Sequence, residues 1–395
     1  MGSAAAAIMC ILCFWTAAFA VQPVKVLFFP LDGPSAAGSL AWLAEGIPYS
    51  LSSQLSGPGI RVLSREERFL LVESLDLPPD AHLSYGSMIR VAQEGKADLV
   101  VLGSFSGSES TVRTVVRVLD VKNLKLSGEI SASGALSSIA QMENELGWLI
   151  LNNTGLQKGV SREEFGRRQR KIPNAAYAAF IQSFGATGRN EQIRLLRKAV
   201  EGFKDFPEAH YHLGRLYFQK GEWQNALSQL SLSSRDELKD LEYEFILGTC
   251  LVQQNQPVQA IQSLSAVLSS SRSFQVLNNI GVAYVRKGDA AQALNVFMEA
   301  RNLARSDITV TVNLAIAWHL QGDDAAARSV LEEAAKAHPK NGMLQFLLGI
   351  VLSKLGASDS AAAAMARAQD LGLKTAKLQL EDPGTWCLVH TAWER

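Results

Sequence analysis

Residues 274–300, FQVLNNIGVAYVRKGDAAQALNVFMEA, predict two short amphipathic helices on either side of a tight turn. Ile280 and Tyr284 lie four residues apart and share one face of the first helix. Gly288 and Asp289 then interrupt the pattern, because glycine ends a helix readily and aspartate caps the start of the next one. The stretch is therefore expected to fold as a helical hairpin.

The same hairpin pattern recurs along the C-terminal half of the chain. No such pair buries its apolar face alone, so the pairs must stack on one another. A small residue is needed where the two helices of a pair cross closely. This residue recurs at intervals of 34, 33, 34 and 34 positions, at Gly214, Gly248, Gly281, Ala315 and Gly349. The pattern resembles the tetratricopeptide repeat. The resemblance implies a right-handed superhelix whose concave groove is lined by the first helix of each pair.

The resemblance also implies which side chains line that groove. Their apolar character predicts binding of an extended or helical peptide. The alternative is that the N-terminal domain or the C-terminal tail covers the groove. The Lys-and-Asn clamp that some family members use for a peptide carboxylate is not assembled, although Asn278 and Asn279 are present. The positions are Tyr211, Arg215, Phe218, Phe245, Thr249, Val252, Asn278, Val282, Arg286, Val312, Ile316, His319, Phe346 and Ile350.

The N-terminal part of the chain follows a different pattern, in which short β runs alternate with helices. Residues 24–31, VKVLFFPL, predict a buried strand that Asp32 and Gly33 end. A β-α-β opening followed by an antiparallel meander predicts a small α/β domain with a mixed sheet. Further strands are expected at 60–63, 98–105, 111–121 and 124–131, and helices at 39–55, 64 onward, 87–94 and 139–156.

Five stretches of this domain, in order, resemble the TolB amino-terminal-like domain of bacterial envelope proteins. They are VLFFPL at 26–31, LAEGI at 43–47, IRVLSR at 60–65, ADLVVLGS at 97–104 and RVLD at 117–120. The resemblance implies a non-catalytic envelope domain that contacts other proteins. Nothing downstream resembles the β-propeller of TolB, so a role in the Tol system is not implied.

The first residues of the chain predict export. Residues 1–20 are apolar from Ala4 onward and end in Ala18-Phe19-Ala20, which fits a signal peptide cleaved after Ala20. The protein is then periplasmic or secreted. The alternative is an uncleaved N-terminal membrane anchor. After cleavage two cysteines remain, Cys250 and Cys387, which either form a disulfide or are buried thiols.

The composition argues against several classes of function. The chain has 38 basic and 38 acidic residues, and this zero net charge argues against a general nucleic-acid binder. No phosphate loop, nucleophile elbow or zinc-protease signature is present. We therefore expect no catalytic residues, no metal and no cofactor, and a protein or peptide as the partner.

These patterns divide the chain into six parts. They are a signal peptide at 1–20, a TolB amino-terminal-like α/β domain at 21–158, a charged linker at 159–172, a degenerate repeat or cap at 173–206, a solenoid of five repeats at 207–370, and a tail or cap at 371–395. The tail contains Trp386 and Trp393, so we expect it to cap the last repeat or to turn into the groove.

The function expected from this organisation is that of an exported, non-enzymatic scaffold that binds a partner in the groove. One alternative is a structural subunit of an envelope assembly, with the groove as a permanent interface. The other is an enzyme with an unrecognised site between its domains, which predicts a deep cleft with converging titratable groups.

Overall fold

The computed structural model describes residues 22–34, 38–78, 83–156, 161–167, 172–233, 241–373, 384 and 386–392. The predicted export signal and Trp393 lie outside these residues. The chain forms two compact units, Met1–Gln182 and Ser183–Arg395. Within the described part of the chain, no helix is both long enough and apolar enough to cross a membrane.

The first unit is built on a mixed sheet, which confirms the α/β prediction. β1 pairs in parallel with β2 on one side and β3 on the other, and β3 continues into an antiparallel hairpin with β4. The sheet order is β2-β1-β3-β4-β5, and β6 also pairs with β4. The strands are β1 (Val24–Phe28), β2 (Ile60–Val62), β3 (Leu99–Ser108), β4 (Thr111–Asp120), β5 (Lys125–Leu126) and β6 (Ile130–Gly134).

Helices connect and cover these strands close to the predicted positions. Ser64 and Glu67 form the predicted capping box at the start of α2. A core cluster joins Leu27 and Phe29 to Val100 of β3 and to Val72 and Val91 of the helices. The helices of this unit are α1 (Leu43–Leu55), α2 (Arg65–Ser74), α3 (Tyr85–Glu94), α4 (Ile139–Thr154) and α5 (Arg162–Arg167). The segment predicted as a charged linker thus contains a short helix.

The single strand predicted at 124–131 is wrong, because the structure has the two separate strands β5 and β6 there. Ser127 interrupts the pairing with a side-chain hydrogen bond. Its hydroxyl accepts the N–H of Val118 at 2.9 Å and donates to the carbonyl of Gly128 at 2.7 Å. A side chain thereby replaces a main-chain partner, and pairing with β4 resumes only at Ile130.

The second unit consists of helical pairs, which confirms the predicted run of hairpins. Each pair packs internally, and each helix also packs on the next one in sequence. α6 (Asn174–Gly185) crosses from the first unit into the second, and α7 (Arg189–Gly202) follows it. The five pairs are α8 (Pro207–Gln219) with α9 (Trp223–Leu230), α10 (Leu241–Gln253) with α11 (Pro257–Ser270), α12 (Phe274–Lys287) with α13 (Ala290–Leu303), α14 (Ile308–Leu320) with α15 (Asp324–Ala337), and α16 (Gly342–Lys354) with α17 (Ser358–Asp370).

The recurring small residues lie where the two helices of a pair cross. A Cβ added at Gly248 would be 2.6 Å from the side chain of Leu264, and one added at Gly349 would be 2.7 Å from that of Met365. Both distances are well below van der Waals contact, so a larger residue would force the helices apart. The 34-residue period therefore reflects this close approach of helices.

Candidate functional site

The first helices of the five pairs form the surface on which the sequence places the groove. Each of α8, α10, α12 and α14 also packs on the next first helix, in addition to its own partner. Of the fourteen predicted groove residues, ten are buried and four are half-buried. The half-buried four are Arg215, Arg286, His319 and Ile350. None of these fourteen side chains is therefore fully exposed to solvent.

A segment of the chain itself, residues 386–392, lies in this groove. We call it the tail segment. Asn313 on α14 binds both main-chain groups of Leu388. The N–H of Leu388 donates to Asn313 Oδ1 at 2.8 Å, and Asn313 Nδ2 donates back to the Leu388 carbonyl at 2.7 Å. Asn278 Nδ2 donates to the same carbonyl at 3.0 Å.

Asn279 repeats this arrangement one pair of helices earlier. The N–H of His390 donates to Asn279 Oδ1 at 2.9 Å, and Asn279 Nδ2 donates to the His390 carbonyl at 2.8 Å. A carboxamide carries one acceptor and one donor group, like the peptide unit. Asn279 and Asn313 therefore act on the tail segment as a neighbouring β-strand would.

The asparagines also bind one another across the repeats. Asn313 Nδ2 donates to Asn278 Oδ1 at 2.7 Å, and Asn279 Nδ2 donates to Thr249 Oγ1 at 3.1 Å. Thr249 and the three asparagines have no exposed surface. Buried amides cost free energy unless they are hydrogen-bonded, and here the carbonyls of Leu388 and His390 supply partners to this network.

Trp386 anchors the start of the tail segment. Its side chain is only 2% exposed. The indole stacks on His319 with ring centroids 6.1 Å apart, and Phe346 meets it edge-on at 6.0 Å. Asp324 fixes the imidazole plane, since its Oδ1 lies 2.5 Å from His319 Nδ1. His319 and Phe346, both predicted for the groove, thus form an aromatic pocket.

His390 occupies a second side-chain position. Its ring meets Phe274 edge-on, with centroids 5.3 Å apart. Its Nε2 lies 3.4 Å from Asp307 Oδ1. Asp307 also caps α14 by accepting the N–H of Val310 at 2.9 Å. This position therefore combines an aromatic wall with a carboxylate, which suits an imidazole or a basic side chain.

Several of the predicted groove residues lie at the tail segment. Asn278, His319 and Phe346 contact it, and Thr249 supports Asn279. Residues of the first pair contact other parts of the unit. Arg215 forms an ion pair with Glu242 at 3.3 Å, and the ring of Phe218 meets Trp223. Arg286 on α12 donates to the carbonyl of Val252. The partner role of the fourteen residues stays a prediction.

Asn279, Asn313, Phe274 and Asp307 contact the tail segment but are absent from the predicted groove set. A signal for the first two exists in the sequence. Asn279 and Asn313 are 34 residues apart, so they hold the same position in consecutive pairs. Asparagine is a poor helix former, and a buried one requires hydrogen-bond partners. Its recurrence at the repeat period inside apolar helices therefore indicates a polar ligand.

The two cysteines of the second unit are buried thiols and do not form a disulfide. Burial raises the pKa of the Cys250 thiol to about 12. The thiolate is the reactive form of cysteine, so this burial disfavours reaction at Cys250.

A surface cavity of about 530 Å³ lies between α7 and the following pair, away from the tail segment. Three of its charged side chains have partners nearby. Arg194 pairs with Glu191 at 2.5 Å, Lys220 pairs with Glu222 at 2.7 Å, and Arg197 donates to the Tyr217 hydroxyl at 2.8 Å. The tail segment and its asparagine contacts make the groove the candidate site.

Comparisons with known proteins address the repeats directly. Models of the tetratricopeptide repeat match residues 179–233, 274–307 and 320–372. A curated relative, the BBSome complex member BBS4 of Bos taurus, is 25% identical over 250 residues, which are 61% of this chain and 48% of the relative. The chain thus spans about half the length of the curated relative it matches.

Two solved structures are also similar to parts of the chain. MamA is 18% identical, with 44% of this chain and 96% of MamA covered and a TM-score of 0.37. YrrB, described as a TPR protein with an unusual peptide-binding site, is 15% identical, with 45% and 91% covered and a TM-score of 0.35. From the period, the stacked pairs and the family models together, we conclude that the C-terminal part of this chain carries tetratricopeptide repeats.

Proposed function

We propose that this protein is an exported, non-enzymatic scaffold that binds a partner protein by an extended segment laid in the groove of its first helices. One observation carries the proposal: Asn279 and Asn313 bind the main chain of the tail segment through paired hydrogen bonds. A groove that satisfies main-chain groups accepts extended segments of many sequences, and side-chain pockets then add selectivity.

A second candidate is a structural subunit whose groove is a permanent interface. The relative BBS4 favours it, since that protein is named as a member of a complex. The tail segment weighs against it, because a permanent partner would have to occupy the place that residues 386–392 fill. A sedimentation measurement separates the two: a stable monomer supports the scaffold, and an obligate oligomer supports the subunit.

The envelope location forms part of the proposal and rests on the sequence of residues 1–20 and on the TolB-like stretches of the first domain. The mass of the mature protein from a bacterial host tests the export step. We expect a chain that begins at Val21. A mature chain that retains residues 1–20 and fractionates with membranes would favour the anchored alternative.

The groove is tested by affinity capture from an envelope extract. The double variant Asn279→Ala/Asn313→Ala should lose partners that the unaltered protein retains, by about tenfold or more, because two paired backbone contacts are removed. Asn295→Ala is the matched control, since Asn295 lies exposed on the second helix α13. Identical protein sets from all three baits would contradict the proposal, provided that circular dichroism shows the double variant to be folded.

A further inference from the structure

We propose that the tail segment imitates the partner's recognition segment. In this inference, which rests on the proposed function, the groove binds an extended segment that has a tryptophan followed four residues later by a histidine or a basic residue. A partner of this kind binds only by displacing the chain's own copy. The tail segment therefore competes with the partner for the groove.

The first step is the alternation of hydrogen bonds along the tail segment. Leu388 and His390 face the asparagines, and these residues are two apart. In an extended chain, the main-chain groups of every second residue point to the same side. The main-chain N–H and C=O groups of Cys387 and Val389 thus point away from the asparagines. The spacing of Asn279 and Asn313 on consecutive pairs matches this repeat, so a helical segment would not satisfy both amides.

The second step is the tryptophan pocket. His319 and Phe346 hold the indole of Trp386 on two sides, and Asp324 fixes the His319 ring. Large aromatic side chains in such desolvated pockets dominate binding energy in protein interfaces. The partner therefore needs an aromatic side chain two residues before the backbone group that binds Asn313.

The third step is the position of His390. Asp307 carries a carboxylate 3.4 Å from its Nε2, and Phe274 forms the wall beside it. An acidic side chain here would face Asp307 and be repelled. The required partner chemistry is therefore an extended segment with an aromatic anchor and, four residues later, a histidine or a basic side chain.

The fourth step is competition. A segment tethered to the same chain acts at an effective concentration on the order of millimolar. A free partner at lower concentration must overcome this advantage before it binds. A variant that weakens only the tail segment should therefore bind partner peptides more tightly, although nothing in the groove has changed.

The test uses a fluorescein-labelled synthetic peptide of residues 384–392, with Cys387→Ser to prevent oxidation, and measures fluorescence anisotropy. The full chain with Leu388→Pro releases the tail segment, because proline has no N–H to donate to Asn313. We expect this variant to bind the peptide about tenfold or more tightly than the unaltered chain. Trp386→Ala in the full chain is a second releasing variant that should show the same gain.

Val389→Pro is the matched control. The N–H that it removes points away from the asparagines, and proline keeps the preceding residue extended. We expect this variant to bind the peptide as weakly as the unaltered chain. A peptide with Trp386→Ala should lose binding to the released chain, and so should the peptide with His390→Glu.

The outcomes separate this inference from the proposed function. Equal binding by the unaltered and released chains would overturn self-competition but leave the groove as a peptide site. No binding by either released variant would overturn both. Retained binding of the altered peptides would overturn the stated partner chemistry. If the unaltered chain is a dimer that dissociates in Leu388→Pro, the tail segment binds in the groove of a second copy. That result would overturn competition within one chain.

Discussion

The turn between the two helices of a pair contains one residue with a positive φ. Gly288 has φ +84° and Gly322 has φ +80°, and Asn255 occupies the equivalent turn of the second pair with φ +55°. Glycine adopts this conformation without a steric penalty, and asparagine tolerates it better than most residues. These three turns are thus set by residues that tolerate a positive φ, either glycine or asparagine.

We expect Gly288→Ala to lower the free energy of unfolding by about 1 kcal/mol, since alanine is strained at this φ. Urea denaturation followed by circular dichroism measures the change. Gly185→Ala is the control, because Gly185 has an ordinary φ and open space around its Cβ. An equal effect of the two substitutions would argue against the conformational explanation.

Glu143 on α4 makes the first unit sensitive to pH. Burial raises the pKa of this carboxyl to about 8, against an opposing hydrogen bond from Ser50. The folded chain thus binds this proton more tightly than the unfolded chain, whose carboxyl has its ordinary pKa of 4.5. Stability from this group is full below about pH 4.5 and is lost as the pH rises to about 8.

Glu143→Gln should therefore stabilise the protein at pH 8, on the order of 1–3 kcal/mol, because the neutral amide does not need to take up a proton when the chain folds. Thermal melts between pH 5 and 8 provide the measurement, and the variant should show a flatter pH dependence. Exposed Glu73→Gln is the control and should leave that dependence unchanged. A Glu143→Gln protein that is less stable at pH 8 would contradict this assignment.

At the scale of elements, the repeats were predictable and the sheet was partly so. The hairpin at 274–300 follows from helical periodicity and two turn residues, which are local signals. The capping box at Ser64 is local as well. The break at Ser127 depends on a side-chain bond to Val118 across the sheet, so no local pattern reveals it.

The groove was predictable as a surface, and the C-terminal tail was one of its expected occupants, but the residues that bind the tail were only partly predictable. Its position follows from repeat register, which places His319 and Phe346 correctly beside Trp386. The path of the tail segment depends on hydrogen bonds between residues 75 to 111 positions apart, such as Leu388 with Asn313 and His390 with Asn279. Its sequence has no periodicity that indicates such a route.

Loss of the tail segment should weaken the repeats as a whole. Deletion of residues 384–395 removes the indole from its pocket and exposes the asparagines to water, which can replace the lost hydrogen bonds. We expect the free energy of unfolding to fall by about 2 kcal/mol, mainly from the lost burial of Trp386. Thr391→Ala, at an exposed position, should have no such effect. Unchanged stability after the deletion would contradict this packing.

At the scale of the whole molecule, one chain combines an α/β unit with a repeat unit whose groove holds a segment of the chain itself. Five hydrogen bonds in that groove join main-chain atoms of the tail segment to asparagines, and Trp386 and His390 add side-chain contacts. The arrangement thus depends on the extended conformation of residues 386–392 as well as on these two side chains. The account of binding and of self-competition therefore depends on whether this extended segment is present in solution.

Amide hydrogen exchange along the tail segment, followed by nuclear magnetic resonance, tests this most directly. The amides of Leu388 and His390 donate to Asn313 and Asn279, whereas those of Val389 and Thr391 point the other way. The predicted result is alternating protection, with slow exchange at Leu388 and His390 and fast exchange at Val389 and Thr391. Equal, fast exchange at all four amides would contradict the account.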